Sequence, residues 1–311
     1  MRIAAFLIAN RRAFKERAES GLNDSRQVAE FARLCQNEHR LRSLFVFTSA
    51  DRVEWESEQA DPSRWFNTRE LYVKAMKHFR PGLDPDRALT AAGYSAEQLN
   101  ILRDFGEDFF GGLYRPYANR FGSHLARLVE EPGTAGPRAG ILRDGMATIV
   151  GVAARDYRGL AASISGAFCH HNVGLRQAHL FSASHYGLAL DFFHVAPRDE
   201  PLPPDLTRFI EDAIQNRRFI GESDEATLPQ AKGSISLKEW RPGQFCLRFE
   251  AAREVNGLIY AVTYKVFRHL RGNIFGLTAQ AARDRAYVTV YHSLPPGLSL
   301  EQAQAIAAEH F

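Results

Sequence analysis

One pattern in this chain is written twice, and that repetition limits the fold more than any other feature. The first copy opens with an apolar run, Ile149 to Ala154, and a polar turn, Arg155-Asp156-Tyr157-Arg158-Gly159. From Leu160 to His171 the residues Leu160, Ile164, Ala167 and Phe168 recur at helical spacing. Two strand-like runs follow, Leu175 to Ala183 and Leu188 to Ala196, joined at Ser184-His185-Tyr186-Gly187, where Gly187 suits a positive φ. Pro201 to Arg217 offers a second helix. The second copy runs from Gln244 to Ala252, through the turn Arg253 to Gly257, to a helix over Leu258 to Leu270. Strands over Asn273 to Ala281 and Ala286 to His292 follow, then a helix over Ser299 to His310. An offset of 98 carries Arg155 onto Arg253, Gly159 onto Gly257, His171 onto His269 and His194 onto His292, without gaps, over about forty residues. A repeated unit of this size implies one plan used twice.

The order strand, helix, strand, strand, helix is most of a split β-α-β-β-α-β unit. Ser234 to Trp240 is the candidate fourth strand of the first copy. Ahead of the repeats the chain reads as helical. A helix is expected over Ile3 to Gly21, and Asp24 can cap the next, whose apolar stripe is Val28, Phe31, Ala32, Leu34 and Cys35. Further helices are expected over Leu41 to Asp51, Trp65 to Phe79, Ala88 to Phe110 and Tyr114 to Val129, with Ser95 capping a start inside the third of these. Glu131 to Gly140, EPGTAGPRAG, reads as a linker. The expected class is therefore α+β: an all-helical region over 1–130, a linker over 131–140, and two ferredoxin-like βαββαβ units over 141–240 and 241–311.

The motif A-R-[D/E]-x-x-G-L at the first strand–helix turn, in tandem, resembles ACT domains, the small-molecule sensing modules of amino-acid metabolism. Two copies in this position resemble the end of the bifunctional PII uridylyltransferase/uridylyl-removing enzymes, with ALDFFHV the closer match and Thr289 standing, by the ungapped offset, where Asp191 stands. Leu44 to Asp51 resembles the L-x-x-L-T-x-A-D of that family's HD phosphohydrolase domain, whose Asp is a metal ligand. The other ligands lie upstream of that motif in the family, and one carboxylate holds no catalytic metal alone. Asp51 is thus a metal-ligand candidate only with ligands from elsewhere.

The candidate ligand turn is Arg155, Asp156, Tyr157, Arg158, Gly159 and Leu160, with Glu254, Asn256, Gly257 and Leu258 in the second copy. Asp156 can accept hydrogen bonds from an α-amino group, and amides opening a helix favour a carboxylate. Gly159 lets the backbone come close. The resemblance implies glutamine as the ligand, nitrogen regulation as the setting, a PII-like signalling protein as a partner class, and pairing of two chains through the ACT units. The rival readings are a fragment of a metal-dependent phosphohydrolase using Asp51, and an ACT pair used only for assembly.

Other chemistry is poorly supported. There is no P-loop, no G-x-G-x-x-G after a strand, and no Gly-Ser turn followed by paired carboxylates, so no complete active site and no cofactor is expected. Cys169-His170-His171 reads as helix packing and a helix end, since sequence neighbours on a helix point apart. His185 and His194 have no companion at ligand spacing, and Asp104, Glu107 and Asp108 read as a solvated helix end. A formal charge of +3 argues against a nucleic-acid partner, and the cysteines, Cys35, Cys169 and Cys246, fit a reducing cytoplasm. The opening MRIAAFLIANRRAFKER lacks a long apolar segment and cleavage site, and no run is long enough to span a bilayer.

Overall fold

A computed structural model describes residues 3–20, 25–50, 62–79, 93–106, 109, 114–144, 147–219, 233–251, 257–282 and 285–311. The chain divides into two compact units, Met1–Gly122 and Ser123–Phe311. That division falls inside the helix Ala118–Glu130, ahead of the expected linker at 131–140.

The first unit is helical throughout its described residues: α1 (Ile3–Ala9), α2 (Ala13–Ser20), α3 (Ser25–Cys35), α4 (Glu38–Ala50), α5 (Pro62–Lys77) and α6 (Ala96–Asp104). The single helix expected from Ile3 is broken after Ala9. There the Asn10 side-chain amide donates to the Phe6 carbonyl at 2.8 Å, a local bond that competes with the helical ladder. Phe14, Phe31, Leu41, Leu44, Leu71 and Ala75 form the core, with Phe14 edge-on to Phe31 at 4.7 Å. Ser95 caps α6 as expected, in a capping box with Gln98. Asp24 lies outside the described residues.

The second unit opens with the rest of α7 (Ala118–Glu130) and then runs β1 (Arg138–Asp144), β2 (Ala147–Arg155), α8 (Leu160–His170), β3 (Leu175–Ala183), β4 (Leu188–Val195), α9 (Leu206–Gln215), β5 (Gly233–Arg241), β6 (Gln244–Ala251), α10 (Leu258–Lys265), β7 (Asn273–Ala282), β8 (Arg285–Ser293) and α11 (Leu300–His310). All eight strands form one antiparallel sheet in the order β1-β2-β4-β3-β7-β8-β6-β5. The fold is α+β, and each half of the sheet has a ferredoxin-like strand order.

The outer strand of each half comes from before its unit, not after. β5 does not complete the first copy, as Ser234 to Trp240 was expected to do; it pairs with β6 in the second. In the first copy that place belongs to β1, which pairs with β2 and includes Arg138, Ala139 and Gly140 from the expected linker. The reason is local. Asp144 already pairs with Ala147, Pro242-Gly243 is a turn between Arg241 and Gln244, and a hairpin forms at less entropic cost than a return past a helix. Gly243 has φ 72°.

The register places one apolar row across the sheet: Ile141, Val150, Phe193, Ala178, Leu277, Val290, Leu247, Leu237. All but Ile141 belong to the core beneath the helices. The row reads alike from either end, so a pseudo-two-fold axis passes between β3 and β7. Near the axis α8 lies against α10, and Ser165 meets Thr263, its partner at the offset of 98, with Oγ and Oγ1 2.9 Å apart. The outer edges are blocked from above. Glu211 of α9 accepts the Ala139 amide at 2.8 Å, and the Gln304 side chain of α11 donates to the Leu237 carbonyl at 2.8 Å.

Candidate functional site

β2 ends at Arg155, and the chain turns through Asp156 to Gly159 into α8. The Asp156 amide donates to the Gly187 carbonyl at 2.9 Å, tying the turn to the β3–β4 connection, where Gly187 has φ 61° as expected. Gly159 is left-handed with φ 104°, and a Cβ there would lie 2.9 Å from the Phe267 ring and 3.0 Å from Phe219. Those rings stack at 4.7 Å. Glycine is therefore needed twice here, for its backbone angle and for the space.

The turn opens onto a recess lined by Asp156, Tyr157, Gly159, Leu160 and Ala161, by Leu180 and Ser182 of β3, and by Ala189 and Asp191 of β4. Its far wall, Phe267 and Gly272 to Ile274, comes from the second copy. Among the described residues no lysine, arginine or histidine lines it. Amides of the first turn of α8 have no acceptor within the helix. That of Leu160 donates instead to the Tyr157 carbonyl at 3.1 Å.

Two carboxyls share the recess. Asp191 sits at the centre of β4 and is 3% exposed; the Phe181 amide donates to its Oδ1 at 3.3 Å. Burial, and then the charge of Asp156, push its carboxyl well above the ordinary 3.8. Burial also raises Asp156, against the pull of hydrogen bonds from Ser182 and the Tyr157 amide. Two like charges in a low-dielectric setting do not both ionise freely. Burial raises the Tyr157 phenol as well; its hydroxyl donates to Ser163 Oγ at 3.0 Å, and Arg217 covers its ring at 5.0 Å.

Of the expected ligand residues, Asp156, Tyr157, Gly159 and Leu160 line the recess together. Arg155 does not: its guanidinium donates to the Leu128 carbonyl in the last turn of α7, where a cation complements the helix end. Arg158 is exposed and outside the lining. Glu254 and Asn256 lie outside the described residues, as does Asp51. Gly257, with φ 78°, and Leu258 open α10 in the second copy but are not in this recess. Among the described residues no group of three or more His, Cys, Asp or Glu is placed to hold a metal ion. Cys169 packs beside Tyr260 and Tyr264, and burial raises its thiol. His170 is the last residue of α8, a helix end as expected, and its ring stacks on Phe209 at 4.6 Å.

Asp191 is the residue that sequence reasoning passed over as a site. Its signal was a single carboxylate inside ALDFFHV, which is otherwise apolar but for His194. Its counterpart is also different from the one expected. Asp191 pairs with Val152, and in the second copy Val288 pairs with Phe249 at the same remove from the apolar row. Strands β6 and β8 are thus offset by 97 while the helices keep 98. Val288, not Thr289, stands in the place of Asp191, and the second copy has no such carboxyl.

No family profile matches the chain. It is 28% identical over 257 residues to the bifunctional uridylyltransferase/uridylyl-removing enzyme of Caulobacter vibrioides, covering 75% of this chain and 26% of that protein. It is 29% identical over 212 residues to the enzyme of the same name from Phenylobacterium zucineum, covering 62% of this chain and 22% of that protein. The chain is thus related to the C-terminal part of these enzymes and spans about a quarter of their length. A crystal structure described as a glycine cleavage system transcriptional repressor aligns over 52% of this chain and 87% of its own, with 12% identity and a TM-score of 0.20, which carries no argument. Among the described residues no helix is long and apolar enough to cross a membrane.

Proposed function

We propose that this relative of the uridylyltransferase/uridylyl-removing enzymes is a regulatory module that senses an amino acid through its first ACT-like copy. The observation that supports this reading is the recess itself. Asp156 and the opening of α8 face one small space, so an acceptor for an ammonium group and donors for a carboxylate stand side by side. The far wall belongs to the second copy, so a bound molecule would touch both halves. It would then favour whichever arrangement of the halves it binds more tightly, which is all a sensor requires. The relationship makes glutamine the first ligand to try and a PII-like signalling protein the partner class to examine. Pairing of two chains through these units, and residence in the cytoplasm, belong to the same proposal.

A second reading, an ACT pair that only assembles, is favoured by the tightness of the recess. As it stands the free space is about that of one water molecule, so an amino acid enters only if part of the lining gives way. A thermal-shift screen of the twenty amino acids on the full chain separates the two. A ligand at about 100 times its dissociation constant adds roughly 2.7 kcal/mol if it binds the folded state alone. A selective rise that Asp156→Ala abolishes supports sensing. The absence of any rise supports assembly.

A further inference from the structure

Among the described residues the recess is lined by two carboxyls and no cation. The donors recorded to the pair are neutral: the Ser182 hydroxyl and the Tyr157 amide to Asp156, and the Phe181 amide to Asp191. A buried charge is normally paired, since removal from water costs several kcal/mol and a neutral donor recovers only part of that. Asp191 is held in the middle of a strand that is buried throughout and, apart from His194, otherwise apolar. Nothing about the packing requires it, because the second copy fills the same place with Val288.

We propose that Asp191 and Asp156 together form a cation subsite that holds the primary ammonium group of a small ligand, and that only the first copy carries it. An ammonium group fits the gap in the site's chemistry. It brings the missing positive charge and three N–H donors that two carboxylates accept. The rest of the lining fits a short organic ammonium compound. Leu160, Leu180, Ala189, Phe267 and Ile274 offer apolar contact for a carbon chain, and the first turn of α8 offers amides to a carboxylate at its other end. Among the described residues the second copy supplies wall and no charge. Asp191 is thus the specificity determinant: it selects for the amine, while the α8 amides select for the acid.

This inference rests on reading the recess as a ligand site, and the test keeps the two apart. The full chain is titrated, by calorimetry and thermal shift, with the twenty amino acids, with ethanolamine and putrescine, and with magnesium and calcium chloride. Each amino acid that binds is repeated as its N-acetyl and α-hydroxy counterparts. Binding that falls about tenfold or more in both counterparts and in Asp191→Asn supports the subsite. Asp191→Asn should melt no lower than the parent without ligand, because it loses a buried charge. Should that variant fail to fold, Asp156→Asn, at the partly exposed end of the pair, tests the same claim. Counterparts that bind as well as the parent amino acid overturn the subsite and leave amino-acid sensing standing. A response to magnesium or calcium but to no amine overturns it in favour of a metal. No response to any probe overturns both.

Discussion

Asp191 is buried beside Asp156, with no cation among the described residues of the recess, so its charged form opposes folding. Its folded value lies above 3.8, and between the two the folded state keeps a proton that the unfolded chain has released. The contribution therefore favours the fold at low pH and is lost as pH rises through the raised value. His194 and His292 act with the opposite sign. Burial lowers both below 6.5, so below that pH the unfolded chain takes up protons that the folded state refuses, and stability falls with acidity. Asp191→Asn should raise stability at pH 8 by on the order of 1 kcal/mol or more and flatten the alkaline slope of the melting-temperature profile from 3.8 upward, while leaving the profile below 3.8 unchanged. An unchanged alkaline slope would show that the carboxyl is not held as described. Gly159→Ala should cost about 1–2 kcal/mol for the left-handed backbone alone, with more from the 2.9 Å approach to Phe267, as chemical denaturation would read. Gly159 and Asp156 were legible in the sequence because a turn motif isolates them. Asp191 was harder to see because strand patterning treats a lone polar residue as noise, and only the paired register gives it a neighbour.

At the scale of elements, the helices and inner strands were readable from period and capping, and the outer strands were misplaced. β1 looked like linker because EPGTAGPRAG is rich in proline and glycine, yet its last three residues already pair with β2. The hairpin signals Asp144-Gly145 and Pro242-Gly243 were present, and a reading that weighted them over the expected βαββαβ order would have placed both edges. The α8–α10 contact was invisible, since nothing local says that Ser165 meets Thr263. Each hydroxyl also reaches its own helix, at Ala161 O (2.7 Å) and Ile259 O (2.9 Å), so only one of the two can donate across the axis. Ser165→Ala and Thr263→Val should each cost about 1 kcal/mol, and the double variant should cost less than their sum by about 0.5 kcal/mol. Strict additivity in that cycle would place the contact outside the stabilising set.

For the whole molecule, the repeat announced two copies but not that they share one sheet. That depends on edges: β3 and β7 meet through Gln177–Thr278, Ala178–Leu277 and His179–Gly276, while Glu211 and Gln304 occupy the opposite rims. The eight-stranded unit should unfold in one step. Val150→Ala in one half and Leu247→Ala in the other should move the same calorimetric transition, Leu247→Ala by about 2–5 kcal/mol. Two separately shifted transitions would show the halves to be independent. The axis itself has a consequence for how such a unit can diverge. Tyr260 lies over Gly166, close enough that a Cβ there would stand 3.0 Å from its ring. In an assembly of identical chains every change appears on both sides of the axis, so a bulky residue must be matched by its own copy. Joining the copies in one polypeptide removes that restriction: one side can grow where the other shrinks, and one half can keep a costly charge while its twin becomes the wall that encloses it.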